Sequence, residues 1–205
     1  MPLHLLAKGL IIGFSIAAPV GPIGILCVRR SLADGRQMGL VTGLGAATAD
    51  AMYGCIAGFG LTAISSFLVG QKLWLGFLGG LFLCSLGVRT FIAKAPEKPA
   101  KAAANGLLSA YLSTFFLTAT NPMTILSFVA VFAALGLGAS ADYLRAATLV
   151  TGVFIGSALW WLMLSSGVAF FRYRVNSSWM SAINRASGVI MMAFGLYSLS
   201  TFFFK

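Results

Sequence analysis

Six apolar segments of membrane length dominate this sequence and constrain its fold more than any other feature. A transmembrane helix needs about 20 consecutive apolar residues, because the hydrocarbon core of a bilayer is about 30 Å thick. Charged residues, glycines and prolines separate the segments. The predicted spans are Leu3–Val28, Gly39–Phe67, Leu73–Ile92, Leu107–Leu135, Tyr143–Phe171 and Ile183–Phe204.

The composition excludes a soluble protein. Hydrophobic residues make up 59% of the 205 residues and charged residues only 9%. An ordinary soluble domain has about 25% charged residues, so this chain has too few to cover a surface that faces water. Its length suits one integral membrane domain, without an appended soluble module.

The basic residues indicate orientation rather than nucleic-acid binding. The formal net charge is +10, but Lys and Arg lie between apolar segments instead of along one helix face. The first, third and fifth connections hold ten of them, whereas the second and fourth hold only Lys72 and Arg145. Because Lys and Arg are enriched in cytoplasmic loops, the odd connections are predicted to be cytoplasmic and both termini periplasmic.

Two local patterns are interpreted structurally. The stretch Ser15–Ala17 resembles a signal-peptidase site, but the apolar segment continues to Val28, which favours a transmembrane helix over a cleaved signal. The cysteines lie in apolar stretches without a Cys-x-x-Cys pair, and the sequence predicts no disulfide, no metal site and no cofactor. The three are Cys27, Cys55 and Cys84.

Asp50 is the one acidic residue well inside a predicted span. A carboxylate at bilayer depth costs about 2.5–3.5 kcal/mol even on translocon-insertion scales. An ionisable group that is kept there usually faces a cavity and handles a substrate or a proton. The alternative is an aspartate that a neighbouring Ser or Thr hydroxyl satisfies for the sake of helix packing alone.

Prolines predict a break in the first and in the fourth span. Proline removes a helical hydrogen bond, and Gly21 between Pro19 and Pro22 is expected to take non-helical angles. In the fourth span, Asn121 can cap a new helix in which Pro122 takes the first position. Freed backbone groups cannot face lipid, so both breaks are expected to line protein or a water-filled cavity.

The two breaks and Asp50 predict one site near the membrane midplane. The second half-helix at each break directs its N-terminus toward the midplane, where partial positive charge and N–H groups suit a carboxylate. Together with Asp50, such a site matches a zwitterion such as an amino acid. The predicted binding or coupling residues are Asp50, Pro19, Gly21, Pro22, Asn121, Pro122 and Thr124, and Tyr53, Trp160 and Trp161 are candidates for the cavity wall.

A weak internal repeat predicts an inverted architecture. Leu40–Gly43 in the second span recurs as Leu149–Gly152 in the fifth, and the spacing of two glycines in the third span recurs in the sixth. Three spans per half is an odd number, so the halves have opposite orientation, as in many secondary transporters. The predicted fold is therefore all-α, with repeats over about 1–92 and 106–205 and a linker over 93–105.

Glycines spaced four apart predict close helix packing. The pairs are Gly39 and Gly43, Gly54 and Gly58, and Gly152 and Gly156. Small residues at this spacing allow helix backbones to approach each other. One such face is a candidate for a homodimer contact.

Several motifs together resemble the LysE/RhtB family of amino-acid exporters. They are Pro19–Pro22, the connection Arg29–Arg36, the stretch Gly45–Asp50 and the pair Asn121–Pro122. The resemblance covers the whole chain, and it implies efflux of amino acids or their derivatives across a bacterial inner membrane by proton or ion exchange. The family pattern has Asn where this chain has Ile23 and commonly Lys where it has Met123, so the substrate does not follow from the resemblance.

Three other functions are weighed against export of amino acids. A metal or cation exporter of the same superfamily would need about six oxygen ligands, usually with several carboxylates, and the spans offer one. An integral membrane enzyme lacks a Ser/His/Asp, Cys/His or paired-acid set at membrane depth, since His4 is the one histidine. A non-transporting accessory protein stays open.

Overall fold

In the computed structural model, all regular secondary structure of the described residues is helical. The structure describes residues 2–18, 21–58, 67, 70–93, 104–134, 143–171 and 177–203. Eight helices lie within these residues. They are α1 Pro2–Ala17, α2 Pro22–Ala33, α3 Arg36–Gly58, α4 Lys72–Phe91, α5 Ala104–Ala119, α6 Pro122–Ala134, α7 Tyr143–Phe171 and α8 Ser177–Phe203.

Both predicted breaks are present. The first separates α1 from α2, which are bent by 83° relative to each other. The second separates α5 from α6, and Pro122 begins the new helix as predicted. The sequence interpretation ended the first span at Val28, whereas α2 continues through Arg29 and Arg30 to Ala33.

By length and composition, two of the described helices can each cross a membrane, α4 and α7. A third span results if α1 and α2 are counted as one bent span. Because the Asn121–Pro122 break divides the fourth apolar segment, α5 and α6 have only 16 and 13 residues. The all-helical fold is thus confirmed, and the count of six spans stays a prediction.

Glycines bring two helix pairs into backbone contact. In α1 and α7, a Cβ at Gly13 would lie 2.0 Å from the carbonyl oxygen of Val153, and one at Gly156 would lie 2.1 Å from that of Leu10. Between α4 and α8, a Cβ at Gly87 would lie 3.0 Å from the carbonyl oxygen of Gly188, and one at Gly188 would lie 2.7 Å from that of Gly87. The glycines whose spacing recurs between the third and sixth segments therefore pack against each other.

α3 packs against both α7 and α5. A Cβ at Gly43 would lie 2.2 Å from Cβ of Trp161, and one at Gly45 would lie 2.3 Å from the carbonyl oxygen of Tyr111. The prediction of close packing is thus confirmed for Gly39–Gly43 and for Gly152–Gly156, both used within this chain. It is wrong for Gly54, where a Cβ would make ordinary contact with Val150 at 3.6 Å.

Helices α2 and α8 and the residue Ala93, just beyond α4, meet at one end of the bundle. The Nε of Arg29 in α2 donates to Oδ1 of Asn184 in α8 over 3.0 Å. The Nδ2 of Asn184 donates to the carbonyl oxygen of Ala93, just beyond α4, over 3.1 Å. Asn184 is 1% exposed, so a buried amide joins α2, α8 and the end of α4. We call this the basic end of the bundle.

Candidate functional site

Asp50 lies in the interior, between α3 and α7. It is 3% exposed, and its Oδ2 accepts a hydrogen bond of 2.7 Å from the hydroxyl of Ser157. The Oγ of Ser157 also accepts a bond of 3.2 Å from the indole Nε1 of Trp161, one turn further along α7. A serine hydroxyl can donate only one hydrogen bond. Ser157 donates it to the carboxylate, so Asp50 is the acceptor in this bond. The hydroxyl partner is the one that the packing alternative anticipated.

Tyr53 connects Asp50 to the second break. It follows Asp50 by one turn of α3, and its hydroxyl donates to the carbonyl oxygen of Ala119, the last residue of α5. Its ring lies 5.8 Å from the ring of Phe128 in α6, measured between centroids. The side chains of α3 therefore reach both half-helices on either side of the break.

The first break lies on the other side of Asp50. Ala17, the last residue of α1, belongs to a buried cluster with Cys27 of α2, Ala46 and Ala47 of α3 and Trp161 of α7. Ala46 and Ala47 precede Asp50 by one turn, as Tyr53 follows it by one turn. Asp50 thus lies between the packing cluster of the first break and that of the second.

The helix restarts in the same way at both breaks. The N–H of Ile25 donates to the carbonyl oxygen of Gly21 over 3.1 Å, and that of Ile125 donates to Asn121 over 3.2 Å. A proline follows the acceptor residue in each case. Asn121 also caps its helix, because its Oδ1 accepts a bond of 3.1 Å from the N–H of Met123. The predicted capping role of Asn121 is confirmed.

Gly21 takes non-helical backbone angles, as predicted. Its φ of −108° and ψ of −163° are extended, a conformation that other residues also adopt, so the backbone does not require glycine there. A Cβ at Gly21 would meet nothing within 4 Å. The residue therefore adjoins open space at the start of α2, where the N–H groups of a first helical turn lack intrahelical acceptors.

A buried hydroxyl next to the second break lacks a partner. Thr118, in the last turn of α5, is 2% exposed, and its Oγ1 has no hydrogen-bond partner within the part of the chain that the structure describes. A buried polar atom left in this state costs about 1–3 kcal/mol. A bound water or a bound ion is one explanation for such an atom.

The remaining predicted residues are distributed around this site. Trp160 packs edge-on against Phe14 of α1, with 5.3 Å between ring centroids, and Trp161 is 4% exposed. Pro22 and Thr124 are half-buried in the first turns of α2 and α6. Pro19 lies outside the described residues.

Ser157 was not anticipated as a site residue. It is 0% exposed and lies 107 positions from Asp50 in the sequence, so no local pattern links the two. The signal available was its place in the fifth span, five residues after the Leu149–Gly152 repeat. In the second span, Asp50 follows the matching Leu40–Gly43 by seven residues.

A family model and two known proteins match most of the chain. A family model described as LysE type translocator matches residues 14–201. The "Putative amino acid efflux protein YcgF" of Bacillus subtilis (strain 168) is 24% identical over 194 residues, which are 92% of this chain and 91% of that protein. The "Uncharacterized membrane protein YahN" of Escherichia coli (strain K12) is 28% identical over 182 residues, 84% of this chain and 77% of that protein. No solved structure matches the chain significantly.

Proposed function

The chain belongs to the LysE type translocator family, and from this premise we propose that it exports amino acids or close derivatives in exchange for protons or another ion. The family consists of transporters and not of enzymes. The chain is a membrane protein, and two of its described helices are long and apolar enough to cross a membrane. In the proposal, the substrate leaves the bacterial cytoplasm across the inner membrane. The name of the Bacillus subtilis relative, which refers to amino acid efflux, supports this substrate class.

The observation that carries the proposal is the buried carboxylate between two helix breaks. Asp50 is 3% exposed and accepts from Ser157, and packing clusters on either side of it contain the ends of α1 and α5. An ionisable group at membrane depth is by default a candidate for substrate or proton handling.

In the proposed mechanism, each charged group of a zwitterionic substrate binds a protein group of the opposite charge. The ammonium group of the substrate pairs with the Asp50 carboxylate. The substrate carboxylate binds first-turn N–H groups of α2 and α6 other than that of Met123, which donates to Asn121, and the helix dipole is positive there. A proton and an ammonium group compete for Asp50, since either one neutralises it. Loading one then requires release of the other, and this competition couples export to exchange.

The proposed architecture has six spans in two inverted repeats, with both termini in the periplasm. The matching hydrogen bonds at Gly21–Ile25 and Asn121–Ile125 support it. The packing also supports it: α1 runs parallel to α7, α3 runs parallel to α5, and α4 packs on α8. In an inverted repeat, the first, second and third spans correspond to the fourth, fifth and sixth. If each span is replaced by its counterpart, the same set of helix pairs results. The contacts of Asn184 in α8 with Arg29 in α2 and with Ala93 after α4 support a common side for the odd connections.

Two other functions remain in competition with amino-acid export. A cation exporter would need several ligands, and within the described ranges no three side chains of His, Cys, Asp and Glu come together. A non-transporting accessory protein would explain the fold without the site. Transport measurements separate all three.

The test is Asp50→Asn in proteoliposomes loaded in turn with each of the twenty amino acids. The amide can still accept from Ser157, so the fold is expected to persist, but it cannot hold a negative charge. A hydrogen bond to a charged partner contributes about 1.5–3 kcal/mol, so we expect export to fall at least about tenfold.

The matched control is Glu97→Gln, the same kind of change in the predicted linker. It is expected to export at the wild-type rate. If Asp50→Asn also exported at that rate, with an unchanged response to pH, Asp50 would be a packing residue and the exchange mechanism would be wrong.

A further inference from the structure

Arg30 connects the two halves of the chain through its guanidinium group. It lies in α2 and is half-buried. Nη1 donates to Oγ1 of Thr42 in α3 over 3.2 Å, and to the carbonyl oxygen of Ala110 and Oγ1 of Thr114 in α5 over 3.1 and 3.2 Å. Nη2 donates to Oγ of Ser113 over 2.9 Å. Three of these bonds tie α2 to α5 near the basic end, and the fourth ties α2 to α3.

All four acceptors are uncharged. The hydroxyl protons of Thr42 and Thr114 go to backbone carbonyl oxygens of their own helices, over 2.7 and 2.9 Å, so only oxygen lone pairs face the guanidinium. A guanidinium can form two parallel bonds with a carboxylate, and such charge-assisted bonds are about twice as strong as neutral ones. A carboxylate that reached Arg30 would therefore compete successfully with the hydroxyl groups.

Arg30 lies between the basic end and Asp50. Its neighbour in the chain, Arg29, takes part in the network of Asn184 at that end. Its partner Thr42 precedes Asp50 by eight residues of α3, about 12 Å at 1.5 Å per residue. A substrate that moves from the basic end toward Asp50 passes the level of Arg30 first.

We propose that Arg30 is the first binding residue for the substrate carboxylate and that binding releases α2 from α5. The carboxylate replaces Ala110, Ser113 and Thr114 as the acceptor of the guanidinium hydrogen bonds, and the path toward Asp50 opens. The inference rests on the proposed function, because it requires a substrate that has a carboxylate and comes from the basic end. It adds a selection step before the central site: a compound without a carboxylate leaves the bonds of Arg30 intact.

The experiment compares each exported amino acid with its α-amide in proteoliposomes. The amide keeps the ammonium group for Asp50 but has no carboxylate for Arg30. The wild-type protein is expected to transport the acid at least about tenfold more efficiently than the amide, the difference between a charge-assisted and a neutral set of bonds.

Arg30→Gln is expected to lower the transport rate of the acid, because the guanidinium that binds the carboxylate is lost. It is expected to raise the rate of the amide, because the hydrogen bonds that hold α2 against α5 are lost as well. Ser113→Ala removes one bond but keeps the guanidinium. It is expected to raise the amide rate while the acid rate stays near wild type. Arg89→Gln, an exposed arginine of α4, is the matched control and should keep the wild-type ratio.

A purely structural role predicts a different pattern. Both rates would then fall in parallel in Arg30→Gln and in Ser113→Ala, with the ratio of acid to amide unchanged, and this result would overturn the inference. Equal transport of acid and amide by the wild-type protein would also overturn it while leaving amino-acid export intact. Absence of any amino-acid export would instead refute the proposed function, and this inference with it.

Discussion

The contact between α1 and α7 makes a quantitative prediction at Gly156. A methyl group there would lie 2.1 Å from the carbonyl oxygen of Leu10 and 2.8 and 2.9 Å from its carbonyl carbon and Cα. All three atoms belong to the backbone, so no side-chain rotation relieves the overlap. Gly156→Ala must therefore push α1 away from α7 along the face where their glycines meet.

Two opposing terms set the size of the effect. Alanine in place of glycine within a helix gains up to about 1 kcal/mol in helix propensity. Overpacking a tight interior costs about 1–3 kcal/mol, and backbone overlap belongs at the upper end of that range. We expect Gly156→Ala to lower the free energy of unfolding by about 2 kcal/mol, the difference between these terms.

Gly167→Ala is the matched control on the same helix. A Cβ at Gly167 would meet nothing within 4 Å, so only the gain in helix propensity applies there. Thermal unfolding of the purified variants in detergent should place the three proteins in the order Gly167→Ala, wild type, Gly156→Ala, from most to least stable. A Gly156→Ala variant as stable as Gly167→Ala would refute the close contact of α1 with α7.

Two further predictions concern the second break and the topology. Tyr53→Phe removes the hydroxyl that bonds to Ala119, so we expect a loss of about 1 kcal/mol in stability together with slower export, measured as unfolding temperature and as efflux from proteoliposomes. Export at the wild-type rate would show that the Tyr53 hydroxyl has no role in transport. A C-terminal reporter that is active only in the cytoplasm should give no signal, and a signal would place the termini opposite to the proposed side.

Local rules predicted the breaks well because the causes are local. Pro122 cannot continue α5, and Asn121 caps the next helix with a side chain two residues from its donor, Met123. Backbone chemistry within five residues decides such a feature. The burial of Asp50 was likewise predictable, because an acid inside an apolar segment of membrane length must enter the membrane with it.

Tertiary partners were not predictable from the same rules. Ser157 could be recognised as the partner of Asp50 only once α3 and α7 were packed together. Arg30 was counted among the charges that orient the chain, and its position within α2 gives it acceptors in α5, more than 80 residues away. Sequence patterns identify groups that need a partner in the membrane, but helix packing decides which partner they have.

The contacts of α3 indicate where movement would occur during transport. On α3, Gly43 packs closely against the Trp161 side chain of α7, and Gly45 packs closely against the backbone of α5 at Tyr111. The attraction in such close contacts is lost after small displacements. Between α2 and α5, by contrast, Arg30 forms three hydrogen bonds, and a guanidinium can exchange one acceptor for another without leaving a void. A path toward Asp50 therefore opens at lower cost between α2 and α5 than along either glycine face of α3. Because Asp50 and Ser157 lie on the rigid side of this boundary, the central site can keep its geometry while access to it changes.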